Sequence, residues 1–381
     1  MKIAIISSYG VYCGIARYTY HLAEKLIRQK QEVVIFARYK ESREKYEKDL
    51  KKLPLKIIRC WKNKCNKEKI KKELLRENPD IIHIQDVCRD EKIYKEIHKL
   101  FPKKIILTLH SVGAPKVKFH NVPKISDKAF VNKIKKYVAC YIVHNNLSKE
   151  FLVKKNKIPK NKVFVIDHGT LACQKISQKK AREKLGLCPK KTILLTYGFF
   201  GNKKGILEVI KILPALLKKI PDIYYLHIGR KRLQGKDKYH KKYKKILNLI
   251  KKNNLKNKVG FVWKYFSEKE TQLYFRAADL IILFYLKQGP LLHSSGVAHQ
   301  MISCQKPIIA SKIKTFSEFP EKSMYKIPCN LSMLEKSITK VLANKKLQKS
   351  LIENALQYSK ASSWENTIEK HLIVYKKLKS F

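Results

Sequence analysis

Short apolar runs rich in β-branched residues, each followed by a stretch with helical spacing, recur along this chain in two successive series. Nothing else in the sequence limits the fold so tightly. Met1 to Ser7 is such a run, and it reads as a strand covered on both faces in a parallel sheet. A loop with Gly10 and Gly14 follows. From Ala16 to Gln29 the apolar positions Tyr20, Leu22, Ala23, Leu26 and Ile27 give a helix, and Glu32 to Ala37 gives the next strand. Strand, glycine loop, helix and strand make a βαβ unit. Lys56 to Arg59, Asp80 to Ile84, Lys104 to Leu109, Tyr141 to Val143 and Val163 to Ile166 continue the strands, with helix-like segments between most of them. The alternation is that of a doubly wound α/β sheet.

Between Gly169 and Lys191 the periodicity weakens, apart from a short helix at Ala181 to Leu185, and a linker is expected over residues 171–190. A second α/β pattern then opens. Its strands are Thr192 to Tyr197, Ile223 to Ile228, Val259 to Val262, Leu280 to Phe284, Pro307 to Ala310 and Met324 to Ile327. Its helices are Ile206 to Lys219, Lys238 to Asn253 and Glu268 to Ala277. A length of 381 residues exceeds one ordinary core and fits two, with domains at residues 1–170 and 191–355. Leu347 to Leu378 reads as two helices broken near Ala361 to Trp364.

The chain carries 84 Lys+Arg against 30 Asp+Glu, a formal charge of +54. Such an excess attracts anionic membranes, nucleic acid or phosphorylated substrates. Abundant Lys beside frequent Ile and Asn also has the look of an AT-biased coding sequence, so charge alone names no partner. Neither aromatic-interleaved RNA motifs nor a DNA-reading helix pair is visible, which argues against a specific nucleic-acid partner. The 9 Cys are scattered without Cys-x-x-Cys pairs or zinc spacing and read as reduced, mostly buried residues of a cytoplasmic protein, with no metal site. Met1 to Ile6 enters a strand directly and lacks the pattern of a signal peptide. No run reaches the roughly 18 apolar residues of a membrane-spanning helix.

One stretch concentrates candidate chemistry. Gln288 through Val297 follows the apolar run Leu280 to Leu286, and Ser294-Ser295-Gly296 opens a helix expected over Val297 to Cys304. A strand, a loop and a helix N-terminus leave backbone N–H groups and two hydroxyls beside the positive end of the helix dipole, suited to a diphosphate. An N-cap role for Ser294 is the simpler alternative.

In order along the chain, Cys13-Gly14-Ile15-Ala16-Arg17-Tyr18-Thr19, Asp80-Ile81-Ile82-His83-Ile84-Gln85, Thr108-Leu109-His110-Ser111, Val165-Ile166-Asp167-His168-Gly169, Gly198 to Gly205 and Ser295 to Ser311 resemble motifs of the retaining GT-B glycosyltransferases of family 4. These include the glycogen-synthase-like and lipid-glycan enzymes. The resemblance implies a GT-B fold, with two Rossmann-like doubly wound α/β domains facing across a cleft and a C-terminal helix, residues 356–381, packing back towards the first domain. It implies transfer of a hexose from a nucleotide diphosphate sugar, without metal or other cofactor, to a glycan or glycolipid acceptor in surface polysaccharide or glycoconjugate assembly. A cationic face such as Leu147 to Lys155 would rest on the inner membrane leaflet.

Carried onto this sequence, Lys204 pairs with the diphosphate, with Lys203 as its competitor, and His110 contacts the transferred sugar or its leaving oxygen. The donor would further meet Gly198, Arg230, Gln288, Ser294, Ser295, Gly296 and Val297, with Gln300 on the ribose. Gly10, Gly14 and Arg17 form the glycine loop on the acceptor side. Two departures stand out. Phe199 replaces the phosphate-binding Arg, for which Arg230 could substitute, and Leu292 and Gln300 occupy the positions of the family's paired glutamates. Loss of the first glutamate removes the double-displacement nucleophile and favours a front-face mechanism, in which the leaving phosphate helps deprotonate the acceptor. The alternative is an inactive GT-B module that binds a nucleotide, a glycan or a protein.

Overall fold

A computed structural model describes residues 1–11, 13–39, 53–62, 65–115, 126–201, 204–230, 236–286 and 289–380. The chain divides into two compact units, the first comprising Met1–Gly169, Gly289–Ser294 and Ser362–Phe381, the second Thr170–Gln288 and Ser295–Ala361.

The first unit is built on strands β1 (Lys2–Ile6), β2 (Glu32–Arg38), β3 (Lys56–Trp61), β4 (Ile81–Ile84), β5 (Ile105–Thr108), β7 (Cys140–Val143) and β8 (Val163–Val165). They form a parallel sheet in the order β3-β2-β1-β4-β5-β7-β8. Ile3 to Ile6, Ile81 to Ile84 and Ile105 to Thr108 are buried throughout, as expected where helices cover both faces. Helix α1 (Gly14–Arg28) starts at Cys13, whose Sγ accepts from the Ala16 N–H at 3.3 Å. It is followed by α2 (Lys67–Glu77), α3 (Glu91–Leu100), α4 (Asp127–Ile134) and α5 (Asn146–Asn156), each capped by an Asn, Asp or Ser side chain. Two-residue strands β6 (Ser111–Val112) and β13 (Leu292–His293) pair antiparallel, so the short segment 289–294 belongs to this unit.

The second unit holds β9 (Thr192–Tyr197), β10 (Ile223–Gly229), β11 (Val259–Trp263), β12 (Leu280–Leu283), β14 (Ile308–Ser311) and β15 (Tyr325–Ile327) in the parallel order β11-β10-β9-β12-β14-β15. Its helices are α6 (Gln178–Leu185), α7 (Ile206–Lys219), α8 (Lys236–Lys252), α9 (Glu268–Ala277), α10 (Gly296–Met301), α11 (Leu331–Ala343) and α12 (Lys345–Ala361). A capping box formed by Ser267 and Glu270 starts α9. Gly205 caps α7 at φ 69°, and a Cβ there would lie 2.2 Å from the Phe284 carbonyl oxygen, so only glycine lets the helix start this close to the end of β12.

The final helix, α13 (Trp364–Lys379), lies in the first unit. Trp364 packs so tightly on the backbone at Gly169 that a Cβ there would stand 2.3 Å from its ring.

Several expectations need correction. Residues 171–190 are not a free linker: α6 packs on the second unit, where Arg182 pairs with Asp279 at 2.6 Å and the Gln178 amide donates to the Ala278 carbonyl at 2.9 Å. Weak periodicity there reflects a helix of only eight residues, held by these polar contacts together with buried Ala181 and the core contacts of Leu185 and Leu187. The second unit runs to Ala361 rather than 355, because α12 is continuous to that residue. The expected helix Val297 to Cys304 is Gly296–Met301, and its cap is Ser295, not Ser294: the Ser295 hydroxyl accepts from the Ala298 N–H at 3.3 Å. The cysteines are not all reduced, since Cys65 and Cys88 form a disulfide across Cα atoms 6.0 Å apart. Nor are they mostly buried, since Cys13, Cys188 and Cys329 are exposed. The apolar residues of α5 serve its own unit, Leu152 being buried and Phe151 and Val153 packed against the core. None of the described helices is long and apolar enough to cross a membrane.

Candidate functional site

In the first unit, polar side chains gather where four neighbouring strands end. Gln85 follows β4, His110 follows β5, His144 follows β7 and His168 lies just beyond β8. In an open parallel sheet the carboxyl ends of the strands are where ligands bind. Tyr18, from the buried face of α1, stands in the middle. Its ring lies 4.9 Å from that of His110, edge to face, and close to the rings of His144, His168 and Trp364 at 5.1, 5.2 and 5.1 Å. The Tyr18 hydroxyl reaches His371 Nε2 of α13 at 3.1 Å.

Hydrogen bonds continue through the group. His144 Nδ1 lies 2.9 Å from the Ile166 carbonyl oxygen, and its Nε2 lies 3.0 Å from His110 Nδ1. His110 Nε2 meets the Gln85 carboxamide at 2.8 Å. The other end of that carboxamide meets His83, which also bonds to Thr108 and Tyr375, each at 2.6 Å. Burial and the neighbouring imidazoles hold His83 and His110 well below the usual histidine range, and burial lowers His371 to about 4.

Of the expected acceptor-side residues, Gly10 lies in the loop before α1 at φ 71°, Gly14 is the first residue of α1 and Arg17 lies one turn later. Arg59 steadies this loop from β3, donating to the Tyr9 carbonyl oxygen at 2.9 Å and to that of Arg38 at 2.8 Å.

The second unit presents cations at the corresponding ends of its own strands. Gly198 follows β9 and Gly229 ends β10. A Cβ on Gly229 would stand 1.9 Å from the Gly198 carbonyl oxygen, so these strand ends meet backbone to backbone. A Cβ built on Gly198 would lie 3.9 Å from Lys204 Cε and 3.8 Å from Val297 Cγ2, so three expected donor residues share one neighbourhood. Lys204 Nζ sits 3.9 Å from the centre of the Tyr285 ring and donates to the Tyr285 hydroxyl. Arg230 stacks its guanidinium 3.8 Å over Tyr265. Phe199, at the position of the family's Arg, is 40% exposed and offers no charge. His227, buried within β10, is pushed down to about 3 by burial and by the charge of Lys204.

The helix N-terminus expected to hold the diphosphate is partly used by the protein itself. The Ser295 N–H donates to Glu318 at 3.4 Å, and the same carboxylate lies 3.5 Å from His299 Nε2. Ser294 and Ser295 fall in different units, so the Ser-Ser-Gly motif is divided. Gln300 lies in α10 and Leu292 in β13. Lys203 and Gln288 are outside the described residues. The sequence reading missed Tyr18, His144 and His371, though the first lay inside a quoted motif. It also missed Tyr285, Tyr265 and Glu318, for which no local pattern gives a signal.

Residues 12–170 match the family described as Glycosyltransferase Family 4, and residues 177–358 match Glycosyl transferases group 1. An uncharacterized glycosyltransferase of Methanocaldococcus jannaschii is 28% identical over 187 residues, 48% of each protein, so the match spans about half the length of this curated relative. Among solved structures, a glycosyltransferase from Rickettsia africae superposes with a TM-score of 0.80 at 20% identity, covering 99% of this chain and 98% of that one. Anabaena HepE in complex with UDP gives 0.77 at 15% identity, covering 99% of this chain and all of that one. Sucrose-phosphate synthase from Thermosynechococcus elongatus gives 0.72 at 19%, covering 100% of this chain and 99% of that one. At these identities the structural likenesses establish the fold, two Rossmann-like parallel-sheet units of GT-B type.

Proposed function

Since this chain belongs by both of its halves to the glycosyltransferases of GT-B fold, we propose that it is a retaining hexosyltransferase using a nucleotide diphosphate sugar. The observation that carries this reading is Lys204, a cation at the end of β9 beside Gly198 and Val297 and held by the ring and hydroxyl of Tyr285. As the donor's bond breaks, negative charge grows on the departing diphosphate. A fixed ammonium placed there stabilises that charge more in the transition state than in the ground state. Lys204 supplies it in place of a metal ion, with Arg230 as the second cation and Gln300 on the ribose.

His110 and the loop from Gly10 to Arg17 serve the transferred sugar and the acceptor. No carboxylate stands at Leu292 or Gln300, so a leaving phosphate oxygen takes the acceptor hydroxyl's proton on the same face as the incoming bond. Support for the donor class comes from Anabaena HepE, whose structures include complexes with UDP and with UDP-glucose. The acceptor we assign is a glycan or glycolipid of surface polysaccharide or glycoconjugate assembly. The cationic excess suits enzyme and anionic membrane surface to each other.

A thermal-shift panel of UDP-, GDP-, ADP- and TDP-hexoses tests the proposal. At least one donor should raise the melting temperature of the wild type and fail to do so for Lys204→Ala. No shift and no donor hydrolysis across the panel would sink it.

A further inference from the structure

The hydrogen-bonded rings of the first unit obey a proton count that fixes the state of His110. The Ile166 carbonyl can only accept, so His144 Nδ1, at 2.9 Å from it, must carry a hydrogen. In a neutral His144 the Nε2 is then bare and accepts, so His110 Nδ1, 3.0 Å away, must donate. A neutral His110 is in turn bare at Nε2, and the Gln85 carboxamide 2.8 Å from it must present its NH₂ end.

Gln85 is placed with Oε1 towards His110, an arrangement that a half-turn of the carboxamide reverses. With the oxygen there, His110 Nε2 would need a hydrogen as well, and the two rings would hold three protons and a full positive charge. Burial and the surrounding imidazoles of His144, His168, His83 and His371 act against that charge, holding His110 well below the usual histidine range. Nor does the ring of Tyr18, edge to face at 4.9 Å, neutralise a cation. The reversed carboxamide also completes the far end. Its oxygen then accepts from His83 Nε2 at 3.0 Å, a hydrogen shared with Thr108 Oγ1 at 2.6 Å, and His83 Nδ1 accepts from the Tyr375 hydroxyl at 2.6 Å. His144, His110 and His83 then carry one proton each, and these three rings bury no charge.

We infer that Gln85 and His144 are positioning residues that lock His110 as a neutral imidazole, protonated on Nδ1 and saturated at Nε2, so that His110 orients substrate without carrying its proton. The functional half of this statement rests on the transferase reading above, while the protonation half does not. His110 thus shapes the site as an uncharged ring edge, and removal of the acceptor's proton falls to another group.

Selective ¹⁵N-histidine labelling of the full chain reads the nitrogens directly, with the His110 signals assigned by their loss in His110→Asn. The expected spectrum has His110 protonated at Nδ1 and bare at Nε2, unchanged from about pH 6 to pH 8 around the ordinary histidine value. A hydrogen on His110 Nε2, or three protonated nitrogens across His110 and His144, overturns the proposal. The protonation state itself is read on the wild type, and His110→Asn serves for assignment alone.

The second arm is Gln85→Glu, whose carboxylate can only accept and which therefore draws the third proton in. It should add an Nε2–H to His110, lower kcat/KM about tenfold with donor KM unchanged, and introduce a new limb in the pH profile. Gln85→Glu with an unchanged His110 spectrum also overturns the proposal. Should wild type turn over no donor at all, the transferase reading fails and the spectrum still decides the protonation state.

Discussion

The carboxyl ends of the two sheets are both polar, yet they are built on opposite terms. In the first unit, Gln85, His110, His144, His83 and Tyr375 hydrogen-bond one another into a closed, neutral chain anchored on a backbone carbonyl. In the second, the cationic groups of Lys204 and Arg230 lie over the faces of Tyr285 and Tyr265. A saturated network leaves its members little to give a ligand without breaking a buried bond, so it is suited to holding shape. A cation on an aromatic ring gives up only about 0.5–2 kcal/mol on leaving it and gains stronger, charge-assisted bonds to a phosphate. One end is made to stay as it is, the other to exchange partners.

Four experiments bear on that contrast. The largest effect is expected from Lys204→Ala, which removes the exchangeable charge. kcat/KM should fall by about 10²–10³, as for loss of one donor to developing negative charge, while the melting temperature without ligand stays close to wild type. A fall in stability with donor binding intact would make Lys204 structural and erase the contrast.

Next is Gly229→Ala, whose methyl would stand 1.9 Å from the Gly198 carbonyl oxygen at φ 152°. It should cost about 3 kcal/mol in urea unfolding and weaken donor binding with it.

Acid should separate the units. His83, His110 and His371 in the first and His227 in the second are all held below their ordinary value, so their neutral forms are favoured by folding. The unfolded chain then binds more protons below about pH 6.5, and stability falls as pH drops, through about 4 for His371 and about 3 for His227. Each such histidine steepens the fall by about 1.4 kcal/mol per pH unit. Burial raises the Asp86 carboxyl of the first unit to about 7, which offsets one of its three histidines as pH falls. With two left against one among the described residues, Trp364 fluorescence in the first unit should change at higher pH than that of Trp263 in the second. Simultaneous change would show that the units do not unfold independently. The smallest effect is expected from Tyr285→Phe, which keeps the ring and removes the hydroxyl that accepts from Lys204. About a threefold change in donor Kd, read by calorimetry, corresponds to one modest hydrogen bond.

Most of the fold was legible because parallel strands buried on both faces leave continuous apolar runs, as at Ile3 to Ile6 and Leu280 to Leu283, and helices between them keep their period. Strands β6 and β13 were not, since two residues carry no periodicity and their pairing joins positions far apart in sequence. The candidate site was legible where one residue follows one strand, as with His110 after β5 and Gly198 after β9. It was illegible where function depends on convergence. Tyr18, Gln85, His144 and His371 come from separate elements, and only their assembly shows that His110 has both nitrogens engaged. The N-cap passed from Ser294 to Ser295 for a similar reason: either serine fits the local pattern, and the end of β13 decides between them.

The placement of α13 in the first unit has a consequence for how the protein is made. Every residue of the second unit precedes Ser362 along the chain, so synthesis has joined all of the later unit before it reaches the helix that the earlier one needs. Until α13 emerges, the nascent first unit lacks Trp364 on Gly169, His371 on Tyr18, and the His83–Tyr375 bond that closes over 292 residues. Its half-finished interior exposes imidazoles and an aromatic socket for the whole of that interval. A stop codon just short of Ser362 would therefore spare the later half and leave the earlier one a client of chaperones.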